Sequence, residues 1–527
     1  MLPVGGGLAL AGVLAAVALL PAAEFAMNSL RTDAEAFASQ RLTWSVSWPQ
    51  LLSAAWPLAD WPRDSYWGHD QWFILNQFLG TLPCALALLG AFASPRRARA
   101  FAIGALLLAL LSLGRHFPPA TWALQLPPFS LFRYPVKYFV GAAFCVALLS
   151  GFGLDALGRL ARRVSPSRLK AVGAFVGLGV ALALSGPVVR LLPMRAMAEA
   201  GAIWPLLFLG LAALTFLLLP STFARPRRVR HTLGTLAVLE LIAAHYFLGV
   251  PKYVPAELLS RTSALQPHLP RPFEGRISAG ILGDEEPQST SKPGAIIRQS
   301  IDWLVPNRFA EEHLPALEGY GAPEPAYSEL LQYAKKRSVY DLTGVTFYVR
   351  QGPPPFPDLE LVHQLEEGVT LSRSRTALPR AFLVQHARVV PDAEALAAIQ
   401  DASQPFRRTA FLATGEPLDR PPCEGHARLL SAGASHVELE ANACDESYLV
   451  LSDTHYPGWR ATLNGAPVPI HRANYALRAV RLPTGVHRVR FEYHPLSFHV
   501  GLSLSLLTAV GLLALVLPRR RGTGDPK

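Results

Sequence analysis

Long apolar segments recur along the chain and constrain its fold more than any other feature. A helix that spans a bilayer needs about 20 consecutive, mainly apolar residues. Such runs occupy residues 2–22, 72–93, 138–157, 171–192, 201–220, 232–250 and 496–517, with a shorter run at 101–114. The sequence therefore predicts a multi-pass α-helical membrane protein with about eight spans. The first run has no basic start and PAAEF follows it, so we interpret it as a span and not as a cleaved signal peptide.

Basic clusters alternate with the apolar runs and predict the orientation of the spans. They follow the second, fourth, sixth and eighth runs, at residues 96–99, 159–170, 225–230 and 519–521. Because such clusters favour the cytoplasmic side, we expect both termini in the cytoplasm. The same pattern explains the net charge of +11, which therefore does not indicate a nucleic-acid partner.

This orientation predicts four parts of the chain. They are a membrane domain of seven spans at 1–250 with outer loops at 23–71 and 115–137, an extracytoplasmic domain at 251–494, a final transmembrane helix at 495–518 and a basic cytoplasmic tail at 519–527.

The predicted outer domain shows its clearest strand signals in its last part. Its first part, 251–350, mixes Pro- and Gly-rich loops with short apolar runs. The later stretches SHVELEANA, SYLVLSD and GVHRVRFEYH are typical of short strands, and GWRATLNG contains Asn464-Gly465, a strong hairpin signal. We therefore expect an α/β-to-all-β domain that ends in a β-sandwich, with Trp459 in its core or at its rim.

The stretch LFRYPVKYFV, residues 131–140, places two cations where a predicted span starts on the outer side. Arg133 and Lys137 oppose the positive-inside trend there. Pro135 suits the first turn of a helix, whose backbone N–H groups attract anions. Together these residues form a candidate phosphate site at the depth of lipid headgroups, since arginine can bind phosphate through two hydrogen bonds. The alternative is that both side chains extend to the headgroups without a specific ligand.

The first outer loop is rich in tryptophan. Residues 44–72 hold six of the ten tryptophans of the chain, and the candidates for stacking on a sugar ring are Trp56, Trp61 and Trp67. Acidic side chains lie between them. The candidates for a catalytic carboxylate are Asp60, Asp64 and Asp70, and nothing in their spacing singles one out. The alternative is an interfacial aromatic belt.

The four cysteines fall into two pairs by position. Cys84 and Cys145 lie in predicted spans and are expected to pack as small apolar residues. Cys423 and Cys444 lie in the predicted outer domain and could form a disulfide in an oxidising compartment. The sequence contains no recognisable metal-ligand pair, nucleotide-binding loop or nucleophile motif. It therefore indicates no particular cofactor and no divalent metal.

Five stretches together carry a family resemblance. In chain order they are SLR, LFRYPVKYF, PNRFAEEHLPALEGYGAP, ALPRAFLV and YLVLSDTHYPGWRATLNGAPVPIHRANYALRAVRLPTGVHRVRFEYHPLSF. They resemble the YfhO family of bacterial membrane proteins across nearly the whole chain, and the last stretch is the most specific. That family resembles the C-type glycosyltransferases, which transfer a sugar from a polyprenyl-phosphate carrier to an acceptor outside the membrane. The resemblance implies that Arg133 and Lys137 contact the carrier phosphate.

The resemblance also implies a cellular setting and a missing part. It places the protein in the bacterial cytoplasmic (inner) membrane, with membrane lipid, a polyprenyl-phosphate sugar and a cell-envelope glycan acceptor as partners. Family members usually begin with further spans, and the first outer loop of that part holds the expected acidic base. We therefore expect this chain to be a C-terminal portion, with a separate chain as one potential carrier of the missing spans. Asp60 and Asp64 then lie in a different loop and cannot inherit the role of the base.

Three functions remain open from the sequence. The first is a glycosyltransferase, whole or in part, that uses a polyprenyl-phosphate-linked sugar. The second is a non-catalytic membrane subunit whose β-sandwich binds glycans or positions a partner enzyme. The third is a transporter or flippase, for which polar groups are expected at mid-membrane depth and Glu240 is the main candidate.

Overall fold

The chain folds into two compact units in a computed structural model. One unit holds Met1–Asp33 and Val254–Lys527, and the other holds Ala34–Tyr253. The structure describes residues 2–29, 41–55, 77–126, 129–160, 226–247, 260–279, 308–317, 325–365, 368–401 and 405–516. Within these ranges, residues 53, 94–95, 272, 274 and 333–335 are excluded. The single residues 167, 210, 257, 301 and 304 are also described. The first helices thus belong to the same unit as the C-terminal part, whereas the sequence led us to group them with the membrane domain.

The described chain contains thirteen α-helices, of which the first eight lie in its N-terminal half. They are α1 Leu2–Leu14, α2 Ala16–Met27, α3 Trp48–Leu52, α4 Thr81–Ala93, α5 Arg96–Ser112, α6 Pro118–Ala123, α7 Val136–Leu160, α8 Pro226–Phe247, α9 Arg308–Glu311, α10 Pro325–Gln332, α11 Arg337–Leu342, α12 Asp392–Gln400 and α13 Leu496–Val516. Short 3₁₀ turns lie at Gly114–His116, Phe129–Leu131 and Gln266–His268.

Two of the described helices are long and apolar enough to cross a membrane. The stretches are Val136–Leu157 in α7 and Leu496–Ala514 in α13, and only 22% and 11% of them is buried. Such open apolar faces differ from the core helix of a soluble protein, which buries an apolar stripe. Shorter apolar helices cover Ala16–Met27, Thr81–Ala93 and Ala98–Ser112. The predicted runs 171–192 and 201–220 lie outside the described residues, so the structure does not establish eight spans.

Several helices differ in extent from the predicted spans. α5 begins at Arg96 and α8 at Pro226. The described basic residues of 96–99 and 226–230, which the sequence placed between spans, therefore lie inside helices. Hydropathy marks only the apolar stretch, whereas arginine is a good helix former with a side chain long enough to reach water. α4 begins only at Thr81, and the predicted loop 115–137 contains α6 and the first residues of α7.

Within the first unit, the N-terminal helices pack against α13. The hydroxyl of Ser505 accepts a hydrogen bond from the Val17 N–H at 3.0 Å, in the first turn of α2. Gly501 lies against Ala16, where an added Cβ would be 2.4 Å from the Ala16 carbonyl oxygen. Glycine therefore allows the two helix backbones to approach closely, as in other helix pairs of membrane proteins.

Within the second unit, α4 and α7 make an equally close contact through two glycines. A Cβ added at Gly90 would lie 2.2 Å from the Leu149 carbonyl oxygen, and one at Gly153 would lie 1.9 Å from that of Leu86. Both positions therefore exclude a side chain. This contact fixes α7, whose first turn holds Lys137 of the predicted phosphate site.

Sixteen strands are described in the C-terminal half. They are β1 Arg276–Ser278, β2 Val345–Gln351, β3 Glu360–Gln364, β4 Val369–Arg373, β5 Ala381–Val384, β6 His386–Val389, β7 Thr409–Leu412, β8 Leu418–Asp419, β9 His426–Ala432, β10 His436–Ala443, β11 Ser447–Thr454, β12 Trp459–Leu463, β13 Ala466–Val468, β14 His471–Ala473, β15 Leu477–Leu482 and β16 Gly485–Tyr493. They form sheets of order β1-β2-β4-β3, β13-β12-β16-β10-β9 and β5-β11-β15-β14-β7-β6-β8.

The last two sheets share one buried apolar layer. It contains Leu439 and Phe491 from the five-stranded sheet and Leu449 and Val480 from the seven-stranded sheet, all fully buried. In β10, more buried side chains alternate with more exposed ones, as expected for a sheet with one face on a core. Two sheets that face each other across a common core are the arrangement expected of a β-sandwich.

The strand β12 lies where the sequence indicated. It pairs antiparallel with β16, with Trp459 opposite Tyr493, and with β13 through the turn at Asn464-Gly465. The φ angles of Asn464 and Gly465 are 50° and 88°, as a type I′ hairpin requires. Trp459 is half-buried and packs against the shared core, so it lies at the rim.

A disulfide joins the segment before β9 to the end of β10. Cys423 and Cys444 are bonded, with Cα atoms 6.0 Å apart. The structure thus contains the pair suggested by the sequence. Cys84 and Cys145, in helices α4 and α7, are free.

Candidate functional site

The two cations of LFRYPVKYFV share one aromatic ring in the second unit. The Arg133 guanidinium carbon lies 4.8 Å from the centroid of the Tyr134 ring, and the Lys137 ammonium lies 4.9 Å from it. Cations are attracted to an aromatic face at such distances. The structure therefore brings both predicted phosphate ligands together directly before and within the first turn of α7.

Trp44 completes this cluster and was not among the predicted ligands. Its indole stacks on Tyr134, with the ring centroids 4.0 Å apart. Trp44 and Tyr134 have φ angles of 60° and 71°, a left-handed backbone that such residues rarely adopt. Strained residues of this kind cluster at functional sites. The signal for Tyr134 in the sequence was its place between the two cations, whereas Trp44 lies far away in the chain.

The segment around Trp44 is tied to neighbouring helix ends by hydrogen bonds. Val46 N–H donates to the Ser112 carbonyl at 2.9 Å, at the end of α5, and Arg115 N–H donates to the Ser45 hydroxyl at 3.1 Å. Gly114 has a φ of 45°, and an added Cβ would lie 2.1 Å from the Ser45 oxygen. Glycine there lets the segment approach closely enough to hold Trp44 against Tyr134.

One part of the predicted phosphate site is wrong. α7 begins at Val136, and its first N–H groups already donate to backbone carbonyls: Val136 to Trp44 at 3.2 Å and Lys137 to Tyr134 at 3.0 Å. Tyr138 N–H likewise donates to the Pro135 carbonyl at 3.0 Å. These three groups are therefore engaged within the fold, and a bound phosphate would have to rely on the two cationic side chains.

The other predicted site residues lie outside the described chain. These are the sugar-stacking candidates Trp56, Trp61 and Trp67 and the carboxylate candidates Asp60, Asp64 and Asp70, all within 56–76. Of the same tryptophan-rich loop, Trp44 and Trp48 are described, and the Trp48 indole donates to the His116 carbonyl at 3.3 Å.

Glu240, the acid expected of a transporter, has a structural role in the second unit. It is 1% exposed, and its carboxylate accepts hydrogen bonds from the Thr81 N–H at 2.8 Å and the Leu82 N–H at 3.0 Å. These are N–H groups of the first turn of α4, which have no partner within their own helix. Glu240 thus caps α4 from α8, and this accounts for a buried acid without a transported substrate.

The first unit contains a buried charge cluster around Asp453. Its carboxylate contacts Arg276 at 2.6 Å, Arg380 at 2.9 Å and Arg478 at 3.3 Å. Burial alone would raise the pKa of Asp453, but the charge of Arg276 and the hydrogen bond and charge of Arg380 outweigh it and lower the pKa to about 2. The carboxylate is therefore ionised at neutral pH, and three positive charges surround one negative charge.

Arg478 connects this cluster to the rim of the shared core. Its side chain is 4% exposed, and its guanidinium carbon lies 3.9 Å from the centroid of the Trp459 ring. Among the described residues, its Nε and Nη1 atoms have no hydrogen-bond partner. Burial lowers the pKa of Arg478 to about 10, so it stays charged at neutral pH.

Trp459 forms part of the wall of a cavity of about 360 Å³. The wall also includes His455, Tyr456, Arg460 and Ile470. Burial lowers the pKa of His455, and the charges of Arg472 and Arg478 lower it further, so its ring is neutral at pH 7. The size and the mixture of aromatic and polar groups are within the range of small-molecule sites. No group of three or more potential metal ligands occurs in the part of the chain that the structure describes.

Comparison with known families identifies the C-terminal part. Residues 428–505 match the model of the family described as bacterial membrane protein YfhO. The matched range holds Asp453, Trp459, Arg478 and the start of α13. Comparisons with curated proteins and with solved structures found no match. Residues 428–505 of this chain are therefore similar to the matching part of YfhO-family bacterial membrane proteins.

Proposed function

We propose that this protein is a membrane glycosyltransferase-like protein, or the C-terminal part of one. Its donor would be a polyprenyl-phosphate-linked sugar, and its acceptor a cell-envelope glycopolymer on the outer face of the bacterial cytoplasmic membrane. The YfhO match supports the membrane setting. The donor class follows from the resemblance of that family to the C-type glycosyltransferases.

The observation that carries this proposal is the pair of cations on the Tyr134 ring. Arg133 and Lys137 lie 4.8 and 4.9 Å from the same centroid, next to the first residue of the candidate span Val136–Leu157. A phosphate that contacts both side chains would be attracted by two positive charges. Its charge-assisted hydrogen bonds to the two side chains would be short and strong.

The aromatic pair would fix the position of the cations. A cation over an aromatic face is stabilised by about 0.5–2 kcal/mol, depending on how well water is excluded. Trp44 stacks on Tyr134 and so restrains the ring that both cations contact. Because this support exists before any ligand arrives, less side-chain freedom would be lost when a phosphate binds.

A second candidate function is a non-catalytic membrane subunit whose sheet domain binds a glycan or a partner enzyme. The observation that favours it is the cavity beside Trp459, which lies in the matched part of the chain. This function requires neither the carrier phosphate nor a catalytic carboxylate. The two candidates therefore differ in whether Arg133 and Lys137 recognise one lipid.

The test is binding of a short-chain polyprenyl-phosphate sugar to the full chain in detergent. The unmodified protein is compared with the double variant Arg133→Gln/Lys137→Gln. Each charge-assisted contact is worth about 1.5–3 kcal/mol, so loss of both should weaken binding by at least about a hundredfold. The substitutions keep polar side chains of similar length and are not expected to unfold the helix.

The matched control is Arg227→Gln/Arg228→Gln, which removes the same charge from exposed positions in the first turn of α8. It should leave the affinity for the carrier unchanged. Equal affinities of the unmodified and Arg133→Gln/Lys137→Gln proteins would refute the carrier site, and the two cations would then contact bulk headgroups only. An equal loss of affinity in both double variants would also refute the carrier site, because the loss would then reflect the total charge of the protein.

A further inference from the structure

The cavity beside Trp459 lies next to the point where a candidate membrane span begins. Gly458, in the cavity wall, accepts a hydrogen bond from the His494 N–H at 2.8 Å. A Cβ added at Gly458 would lie 3.3 Å from the Cα of Pro495. The candidate span starts at Leu496, so the cavity is at the level where this helix would enter the membrane surface.

Three aromatic side chains surround this cavity. Tyr456 and Trp459 are part of its wall, and Tyr493 lies against both, with centroid distances of 6.3 and 5.4 Å. Arg478 and Tyr493 restrain Trp459. Rigid aromatic rings with polar tips provide the flat apolar surfaces and hydroxyl partners that a sugar ring requires.

Arginine side chains lie in the cavity wall and behind it. The three arginines at Asp453 leave two positive charges uncompensated, and one of them, Arg478, lies directly behind Trp459. Arg460 is exposed in the wall and has no ion pair among the described residues. Its neighbour on β16, Glu492, is engaged with Arg490 at 2.5 Å.

An anionic ligand would also be attracted by the charge of Arg478, which lies behind Trp459 and outside the cavity wall. The Nε and Nη1 atoms of Arg478 are buried and have no hydrogen-bond partner within the described chain. Buried donors of this kind are rare because leaving them unsatisfied costs about 1–3 kcal/mol each. These donors do not reach the cavity, so Arg460 is the cation that an anion there would contact, and none of the described wall residues carries a carboxylate.

We propose that this cavity binds a sugar that carries a phosphate group. The sugar ring lies against Tyr456 and Trp459, and the phosphate faces Arg460, with the charge of Arg478 behind the indole. The choice of ligand, a phosphate-bearing glycan of the cell envelope, rests on the proposed function. The residues of this site are different from Arg133 and Lys137 of the carrier site. Such a ligand comes either from the headgroup of an anionic lipid or from a glycan in solution.

The experiment uses the full chain in phosphatidylcholine nanodiscs and the probes glucose 1-phosphate, glucose and inorganic phosphate. Binding is measured by ligand-observed NMR. Glucose 1-phosphate should bind at least about tenfold more tightly than either of the other two probes, since it alone engages both the rings and the cations. Arg460→Gln should weaken its binding by about tenfold, the effect of losing one contact worth about 1.4 kcal/mol.

The matched control is Arg428→Gln. Arg428 lies in β9, at the opposite edge of the same sheet from β13, and is 70% exposed, so its loss removes one charge without touching the cavity. Binding should be unchanged in this variant. Equal affinities for glucose and glucose 1-phosphate would overturn the proposal. Equal behaviour of Arg460→Gln and Arg428→Gln would also overturn it, and the aromatic rings would then serve only as interfacial anchors.

A second arm distinguishes the two sources of the ligand. Phosphatidylglycerol is added to the nanodiscs and the titration with glucose 1-phosphate is repeated. Weaker apparent binding to the unmodified protein, but not to Arg460→Gln, identifies a lipid headgroup as a competitor for the cavity. Unchanged binding identifies a glycan in solution as the ligand. Because glucose 1-phosphate has no polyprenyl chain and the readout depends on Arg460, failure here leaves the carrier test at Arg133 and Lys137 unaffected.

Discussion

Asp453 and Arg380 form a two-point ion pair, with Nε 3.0 Å from Oδ1 and Nη2 2.9 Å from Oδ2. Arg276 adds a contact at 2.6 Å to the same carboxylate and also donates to the Ser452 hydroxyl and the Thr343 carbonyl. One carboxylate thereby joins three strands, β1, β11 and β15, and the residue before β5. Since Asp453 is 10% exposed on its side chain, the pair is poorly screened by water.

Asp453→Asn should therefore strongly destabilise the sheet domain. The substitution keeps the shape but leaves the buried Arg276 and Arg478 and the half-buried Arg380 without this counter-charge. Breaking a buried pair in this way costs about 3–5 kcal/mol. The free energy of unfolding, from denaturant titration of the full chain, measures the loss. Glu394→Gln is the control, because its ion pair with Arg388 is exposed and worth under about 1 kcal/mol. A similar small effect of both variants would contradict the structural role of Asp453.

The same carboxylate predicts a dependence of stability on pH. Its pKa is about 2 in the folded protein, against an ordinary value of 3.8. Because the pKa is lower in the folded protein, the ionised carboxylate stabilises the fold at pH values above the pKa of the unfolded state. This stabilisation is lost as the pH falls from about 4 towards 2. The two pKa values differ by the equivalent of about 2 kcal/mol. Denaturation midpoints of the unmodified protein should fall across this range by more than those of Asp453→Asn, and parallel curves would be the contrary result.

Local features of the sheet domain could be predicted from the sequence. The turn at Asn464-Gly465 depends on two neighbouring residues that tolerate positive φ, and β10 depends on alternation within one stretch. The Cys423–Cys444 bond joins residues near in sequence. Each of these signals involves residues close together in the chain, so it can be recognised in a single sequence.

The charge cluster and the aromatic stack could not be predicted in the same way. Asp453 meets arginines from distant parts of the chain, and nothing local marks Arg276 as its partner. Trp44 and Tyr134 stack and both adopt left-handed backbone angles, which hydropathy and spacing do not reveal. The N–H groups at the start of α7 were expected to be open to an anion, but tertiary contacts such as that of Val136 with Trp44 occupy them.

Loss of the disulfide should lower the stability of the sheet domain. Cys423 and Cys444 are 21 residues apart, and a loop of this size contributes about 3 kcal/mol in the chain-entropy model. Cys423→Ser/Cys444→Ser should therefore reduce the free energy of unfolding, and a reductant should produce a similar change in the unmodified protein but none in the variant. Mass spectrometry of unreduced protein that finds both thiols free would contradict the bond.

Gly465→Ala should destabilise the β12–β13 hairpin by strain alone. The φ of Gly465 is 88°, and an added Cβ would meet no atom within 4 Å, so packing does not contribute. A left-handed conformation costs a residue with a Cβ about 1–2 kcal/mol. Gly511→Ala is the control, since this position in α13 also has open space but helical geometry, where alanine is preferred. Equal effects of the two substitutions on the unfolding free energy would contradict the strained turn.

The sheet domain should lie outside the cytoplasm. Arg519, Arg520 and Arg521 follow the apolar stretch Leu496–Ala514, and such clusters favour the cytoplasmic end of a span. The bonded cysteines support the same side for residues 254–494, because disulfides persist in oxidising compartments. An alkaline phosphatase fusion after Arg350 should therefore be active, since this reporter needs disulfides of its own.

The matched fusion joins the same reporter after Arg521, where it should be inactive, while a fluorescent reporter at that site should mature. Both fusions test one helix, because the two positions lie on either side of α13. Exchange of the two results would place the cavity beside Trp459 in the cytoplasm, away from any outer glycan. Activity of alkaline phosphatase at both sites would instead remove the span Leu496–Ala514 and, with it, the placement of that cavity at a membrane surface.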